Sequence, residues 1–167
     1  KPSAPSTSER SVSTDERDYE FLEIRNNSSV TQNLNGVTFA ANMPVTFTFG
    51  NLDLAPGAYT VICRNTNAFQ ARYGTGIPIA GKYTGALDNG GERIRLESNG
   101  VAVLDFTYHD EDYWYETTDE DGYSLVFKGG ASDAINWRRP ASWRESQLIH
   151  GSPGGEDVTA GVVINEI

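Results

Sequence analysis

Apolar and polar residues alternate with a period of two in several short runs of this chain, the signature of half-buried β-strands. In the run 19–26, Leu22 and Ile24 fall in phase while Glu23 and Arg25 alternate with them. Val37 to Ala40 follows the turn-like Leu34-Asn35-Gly36, and Val45, Phe47 and Phe49 then alternate with Thr46 and Thr48. Ala55-Pro56-Gly57 has Pro and Gly where a type II turn takes them, which predicts a further strand over 58–64. The clearest signal comes next. Runs 92–97 and 101–108 flank Asn99-Gly100, a dipeptide that accepts the positive φ angles of a two-residue hairpin turn. Ile94 and Leu96 fall on one face of that hairpin, with Arg93, Arg95 and Glu97 on the other.

The remaining runs are less regular. Residues 67–73 are the one candidate helix, short, with Phe69 and Tyr73 four apart on one side. A strand is expected over 123–127, and 129–153 read as an irregular segment held down by Trp137 and Trp143. Gly161-Val162-Val163-Ile164-Asn165-Glu166-Ile167 is again β-rich. Seven or eight short strands separated by Gly, Pro and Asn turns predict an all-β fold, an antiparallel β-sandwich with one short helix. Residues 1–17 are dominated by Ser, Thr, Pro and charge, with Val12 the only large apolar side chain, and read as a disordered or linker segment. That leaves 18–160 as the body and 161–167 as a terminal strand.

Composition narrows the function classes. At 167 residues the chain suits one domain with a full core. No apolar run approaches the length of a membrane-spanning helix, so no membrane span is expected. A net charge of -10, from 23 acidic and 13 basic residues, makes nucleic-acid phosphate a poor partner. The single cysteine, Cys63, excludes an internal disulfide framework and a cysteine-rich metal site.

Taken in order, the motifs resemble a lamin-tail domain of the bacterial type. They comprise Glu20-Phe21-Leu22-Glu23-Ile24-Arg25-Asn26, Leu34-Asn35-Gly36-Val37, Leu54-Ala55-Pro56-Gly57-Ala58-Tyr59 and Leu87-Asp88-Asn89-Gly90-Gly91-Glu92 with Ile94 and Leu96. Val103-Leu104-Asp105, Tyr108, Trp114, Asp121-Gly122-Tyr123-Ser124-Leu125, Asn136-Trp137 and Gly151-Ser152-Pro153-Gly154 continue it, so that the likeness covers about 18–154. The resemblance implies an immunoglobulin-like β-sandwich that serves as an accessory or tethering module in extracellular or cell-surface bacterial proteins. Members of that family begin with a strand resembling Val163-Ile164-Asn165-Glu166-Ile167, which here stands at the far end. The terminal strand is therefore expected either to fill the first-strand slot, from its own chain or by exchange with a neighbouring one, or to open a tandem copy.

Candidate chemistry is sparse. The acidic loop carries Asp110, Glu111, Asp112, Asp119, Glu120 and Asp121, the one dense set of hard oxygen donors. Asp110, Asp112, Asp119 and Asp121 are thus the candidate calcium ligands, although no twelve-residue loop with a terminal Glu is present and a solvated turn is the favoured reading of the cluster. No other cofactor is expected. Tyr113, Trp114 and Tyr115 form the candidate ligand surface, because three consecutive aromatic residues cannot all face one way in a strand. His109 and His150 lie in no metal-ligand spacing, and no GxSxG turn is present. Asn89-Gly90-Gly91-Glu92 has no phosphate-binding lysine and opens a strand, so it reads as a turn. The expected function is a non-catalytic binding or tethering module of a larger secreted or surface protein, with a protein or carbohydrate partner. A calcium- or carbohydrate-dependent adhesion domain and an accessory domain of a hydrolase or kinase-like enzyme are the alternatives.

Overall fold

Two strands of this chain decide its architecture, because one is buried on a single face and the other on both. A computed structural model describes residues 1–111, 113–119, 121–129 and 137–157. The first of these strands belongs to the predicted hairpin, β9 (Gly91–Ser98) with β10 (Val101–His109). Asn99 and Gly100 have φ of 51° and 77°, the pair of positive values that a type I′ turn requires. Along β9, Ile94 and Leu96 are buried, while Arg93 and Arg95 on the opposite face reach the Asp105 carboxylate at 2.8 and 3.7 Å. A register shift between Ala102 and Leu104 interrupts the ladder. β3 (Thr38–Phe39) adds to the far edge of β9, giving the order β10-β9-β3.

The second is β6 (Tyr59–Cys63), entered through the predicted turn, where Gly57 has a φ of +74° and Ala58 N–H donates to Ala55 O at 3.0 Å. β6 lies between β1 (Phe21–Arg25), antiparallel, and β7 (Ile79–Lys82), parallel. Ile62 packs into the main cluster with Phe39, Ile94, Leu96 and Phe106 of the hairpin sheet. Its neighbours Val61 and Cys63 turn the other way, onto Phe69 of α1 (Thr66–Tyr73). Three layers result: hairpin sheet, β1-β6-β7 sheet, helix.

The parallel β6–β7 pair departs from the antiparallel expectation, and α1 is the reason. Parallel neighbours need a crossover, and the helix supplies it while covering the apolar face its own connection leaves open. Asn65 caps the helix, its side chain accepting from the Asn67 and Ala68 N–H groups at 3.1 and 3.3 Å.

Smaller pairings complete the described chain: β2 (Gln32–Asn33) with β5 (Asp53–Leu54), and β4 (Val45–Thr46) with β8 (Thr84–Gly85). The last pair, β11 (Leu125–Phe127) with β12 (Trp143–Glu145), corrects the reading of 129–153 as wholly irregular. Three residues are too few to show a period, but Trp143 is buried against Phe106, ring centroids 4.7 Å apart. Among the described residues the architecture is strand-rich, built of several small sheets and one α-helix, and no sheet closes. The terminal run 161–167 lies outside the described residues.

Residues 1–17, which composition marks as linker, lie against the helix. Their short 3-10 turns Glu9–Ser11 and Glu16–Tyr19 bring the Glu9 carboxylate to Arg72 of α1 at 2.7 Å. The Arg72 guanidinium stacks 4.0 Å over the ring of Tyr19, which is fully buried and whose hydroxyl donates to Glu9 O and Ser13 O. Composition counts apolar surface, whereas this segment is held by the ion pairs of Glu9 with Arg72 and Asp15 with Arg64, by polar contacts of Ser3 with Arg72 and His150, and by the ring of Tyr19 beside it.

Candidate functional site

β1 ends its sheet, and β11 ends another, so each has an edge without a partner among the described residues. Which backbone groups those edges present follows from register. Asn26 N–H donates to Ala58 O at 3.0 Å and Arg64 N–H to Glu20 O at 3.2 Å. Positions 20, 22, 24 and 26 are therefore the ones bonded to β6, and the N–H and C=O of Phe21, Glu23 and Arg25 point away from it. On β11, Lys128 N–H donates to Ser142 O at 2.9 Å and Ser146 N–H to Ser124 O at 2.8 Å. By the same alternation Leu125 and Phe127 turn their backbone groups away from β12.

The two edges border one cleft of about 680 Å³, lined by 21–25 on one side and 123–128 on the other. Its apolar lining is drawn from the main cluster: the buried Ile94, Leu96 and Phe106 and the partly buried Leu104. Residues 152–157 pass its mouth: the Gly154 N–H donates to Glu23 Oε2, and Arg25 pairs with Glu156 at 2.7 Å. Asp157 is anchored by Arg144 of β12, by Gln147 N–H at 3.1 Å and by Ser152 Oγ–H at 3.0 Å.

Glu23 is a strongly altered carboxyl group in this cleft. Burial pushes its carboxyl up to about 7, against the Gly154 N–H and the Arg25 charge, which favour the ionised form. Glu20 and Glu92 are also shifted up by burial. Both clasp the 83–92 segment: Glu20 Oε2 accepts from Tyr83 O–H and Leu87 N–H, each at 3.1 Å, and Glu92 Oε1 from Asp88 N–H at 3.1 Å and Tyr108 O–H at 3.0 Å. Their lone pairs are engaged in loop architecture. The 89–92 turn has Gly91 at φ +109°, where a side chain would run into Tyr108 O, so close backbone approach explains its glycine.

The residues singled out in the sequence are scattered. Tyr113 is almost wholly exposed with a φ of 73°, Trp114 is buried between His109 and Trp143, and Tyr115 packs at the edge of the main cluster. They therefore do not present one aromatic surface. Asp110 and Asp119 line the cleft, Asp121 is exposed, and Asp112, Glu120 and Asn136 lie outside the described residues. No group of three or more His, Cys, Asp or Glu among the described residues is placed to hold a metal ion. His150 Nδ1 lies 3.1 Å from Ser3 Oγ, and burial together with Arg72 lowers its pKa. No carboxylate among the described residues is bonded to that ring, and His150 O accepts from Tyr73 O–H at 2.9 Å, a structural bond. Burial raises the Cys63 thiol, which keeps it protonated and unreactive. No described helix is long and apolar enough to cross a membrane.

Sequence reasoning passed over Glu20 and Glu23, yet Glu20 was visible: it shares the phase of Leu22 and Ile24, a charge at a core-facing position. Nothing local marked Glu23, whose surroundings come from 154 and 156. No family model, no curated protein and no solved structure matches this chain.

Proposed function

We propose that this chain is a non-catalytic binding or tethering module whose cleft takes up an extended polypeptide strand by β-addition. One observation carries the reading: two strand edges without a partner among the described residues, at Phe21–Arg25 and Leu125–Phe127, border a single cleft with an apolar lining. Strand addition draws affinity from main-chain hydrogen bonds and specificity from pockets for alternate side chains, and this cleft offers both. The titratable groups nearest to it are already committed to loop contacts, as Glu20 and Glu92 are, which favours binding over turnover.

The finer fold belongs to the same proposal. Two apolar-faced sheets share the cluster that contains Ile62, Ile94 and Leu96, as an immunoglobulin-like sandwich of the lamin-tail type would arrange them. The ordered motifs across 18–154 support that assignment, and with it an extracellular or cell-surface setting inside a larger protein. The parallel β6–α1–β7 crossover is an addition to such a sandwich.

The test is an NMR titration of the chain with a panel of extended peptides, a glycan set and calcium. Peptides are expected to shift the amides of 21–25 and 123–128. Shifts confined to 109–121 with calcium or glycans, and none at the cleft, would favour the adhesion reading instead.

A further inference from the structure

We propose that the pocket at the start of α1, between Arg64 and Lys82, binds a phosphate group, either as inorganic phosphate or as a phosphomonoester. It shares no lining residue with the cleft, so it stands apart from the strand-acceptor reading.

The crossover makes the pocket. β6 and β7 run parallel and so end on the same side, with Cys63 paired to Lys82. Only Arg64 and Asn65 separate β6 from α1, which brings the amino end of the helix to that side as well. Where the carboxyl ends of parallel strands meet a helix amino end, the helix dipole adds positive potential, and anions are held there in many βαβ units. The pocket, about 580 Å³ and open to solvent, is lined by Asp18, Arg64, Asn65 and the stretch 82–86 that leads from β7 into β8.

Topology offers a place, and the state of Arg64 points to a ligand. Its side chain is only 27% exposed, yet the guanidinium donates no hydrogen bond among the described residues, and Nη1 is shut off from solvent. A shielded guanidinium without an acceptor is costly. Two carboxylates stand near, Asp15 Oδ2 at 3.6 Å from Nη2 and Asp18 Oδ1 at 3.8 Å from Nε, both beyond hydrogen-bond length. Other donors hold them: Asp18 Oδ2 accepts from Ser13 Oγ–H at 2.8 Å and Asn65 Nδ2–H at 2.9 Å, and Asp15 Oδ1 from Arg17 N–H at 3.0 Å. Lys82 is exposed, and its ammonium group has no ion pair or hydrogen bond among the described residues.

The chemistry of the ligand follows. The planar fork of Arg64 matches two oxygens of a tetrahedral oxyanion, and Lys82 supplies a point charge for a third. A single carboxylate brings no more charge than Asp15 or Asp18, which already stand beside Arg64; a phosphate group, with a charge of about -2, does. The net charge of -10 opposes polyanions, so the ligand is a small phosphate and not a nucleic-acid backbone.

Amide NMR at constant ionic strength tests the site, with inorganic phosphate, O-phosphoserine, glucose 6-phosphate and acetate as probes. Phosphate is expected to shift 64–66 and 82–86 saturably, and acetate to leave them in place. Lys82→Ala, at an exposed position, should weaken phosphate binding about 10-fold, and Arg64→Lys, which keeps the charge and loses the fork, by about as much. Tighter binding of either ester than of the free ion assigns the site to a phosphorylated molecule, and weaker or equal binding assigns it to free phosphate; both outcomes uphold the proposal. No saturable shift at tens of millimolar phosphate overturns it, and so does acetate binding as tightly as phosphate. Unchanged affinity in Lys82→Ala overturns it too, a readout that holds even if Arg64→Lys does not fold. None of these results bears on the cleft, whose amides at 21–25 and 123–128 report separately.

Discussion

β9 and β6 both supply the main core, yet they are buried in opposite ways. In β9 every second residue is buried, Ile94 and Leu96 at 3% and 4% exposure, and the residues between them reach solvent as ion pairs. In β6 four consecutive residues, Thr60 to Cys63, are buried at 2% or less. The difference lies in what covers the second face: water for the hairpin, α1 for β6. Alternation records a wet face, and a continuous run such as Thr60-Val61-Ile62-Cys63 records two dry ones. The same contrast explains why the hairpin needs only a turn to close, while β6 and β7, being parallel, need a helix.

The sharpest way to break that comparison is to truncate neighbours. Val61→Ala and Ile62→Ala should each lower unfolding free energy by about 2–4 kcal/mol, because each leaves a cavity in a packed layer. Ile94→Ala in β9 should cost as much, but its neighbour Arg95→Ala only a few tenths, as for other surface pairs. Urea unfolding of the four variants checks this. A Val61→Ala cost as small as that of Arg95→Ala would mean that α1 does not cover the sheet.

The N-terminal segment offers a second contrast, between a surface held by apolar area and one held by charge. The guanidinium beside Glu9 holds its carboxyl down at about 2, below the ordinary value of 4.5. A carboxylate with a depressed folded pKa contributes stability that is complete above pH 4.5 and is lost as pH falls toward 2. Glu9→Gln should remove about 2 kcal/mol at pH 7, since Arg72 is then left buried without its counter-charge, and it should flatten the acid limb of the profile. Thermal melts between pH 2 and 7 would show both. Wild-type and variant curves that coincide would return residues 1–17 to the status of a linker.

How much of this was legible depends on where each signal is stored. The hairpin, the Pro56-Gly57 turn and the short helix are written locally, in turn residues and in period, and the structure has them in place. β12 was not legible, since its three residues pair only because Phe127 and Phe106 offer rings to Trp143. The docking of 1–17 was hidden for a related reason: its partner Arg72 stands 63 positions from Glu9. The cleft is the extreme case. Both of its edges lie in readable strands, but that they border one cavity is a fact of topology which no window along the chain contains.

Glu23 turns the comparison toward pH. With its folded pKa near 7 and its unfolded value near 4.5, the folded state holds the extra proton between those values, so its contribution is complete below about pH 4.5 and is lost as pH rises through 7. Glu23→Gln should therefore stabilise the chain at pH 8 by about 1–2 kcal/mol, after allowance for solvent screening, and leave it nearly unchanged at pH 4.5. Burial shifts Glu20 and Glu92 in the same direction, so their contributions should also weaken with rising pH in the variant, which leaves it a shallower slope than the wild type. Equal slopes in wild type and variant would place Glu23 in water.

The smallest effect comes from Gly100, one of two glycines at opposite ends of the hairpin. Gly100 has a φ of +77° with no atom within 4 Å of where a Cβ would stand, so Gly100→Ala meets backbone strain alone and should cost about 1 kcal/mol. Gly91, at +109°, would meet the same strain and in addition the Tyr108 carbonyl oxygen and His109 Cα, neither of which can move without parting the two strands. Gly91→Ala should therefore be at least two-fold worse than Gly100→Ala in the same melt. Equal costs would mean that the open end of the hairpin yields as easily as its turn, and that β9 and β10 are joined more loosely at the cleft than at their tip.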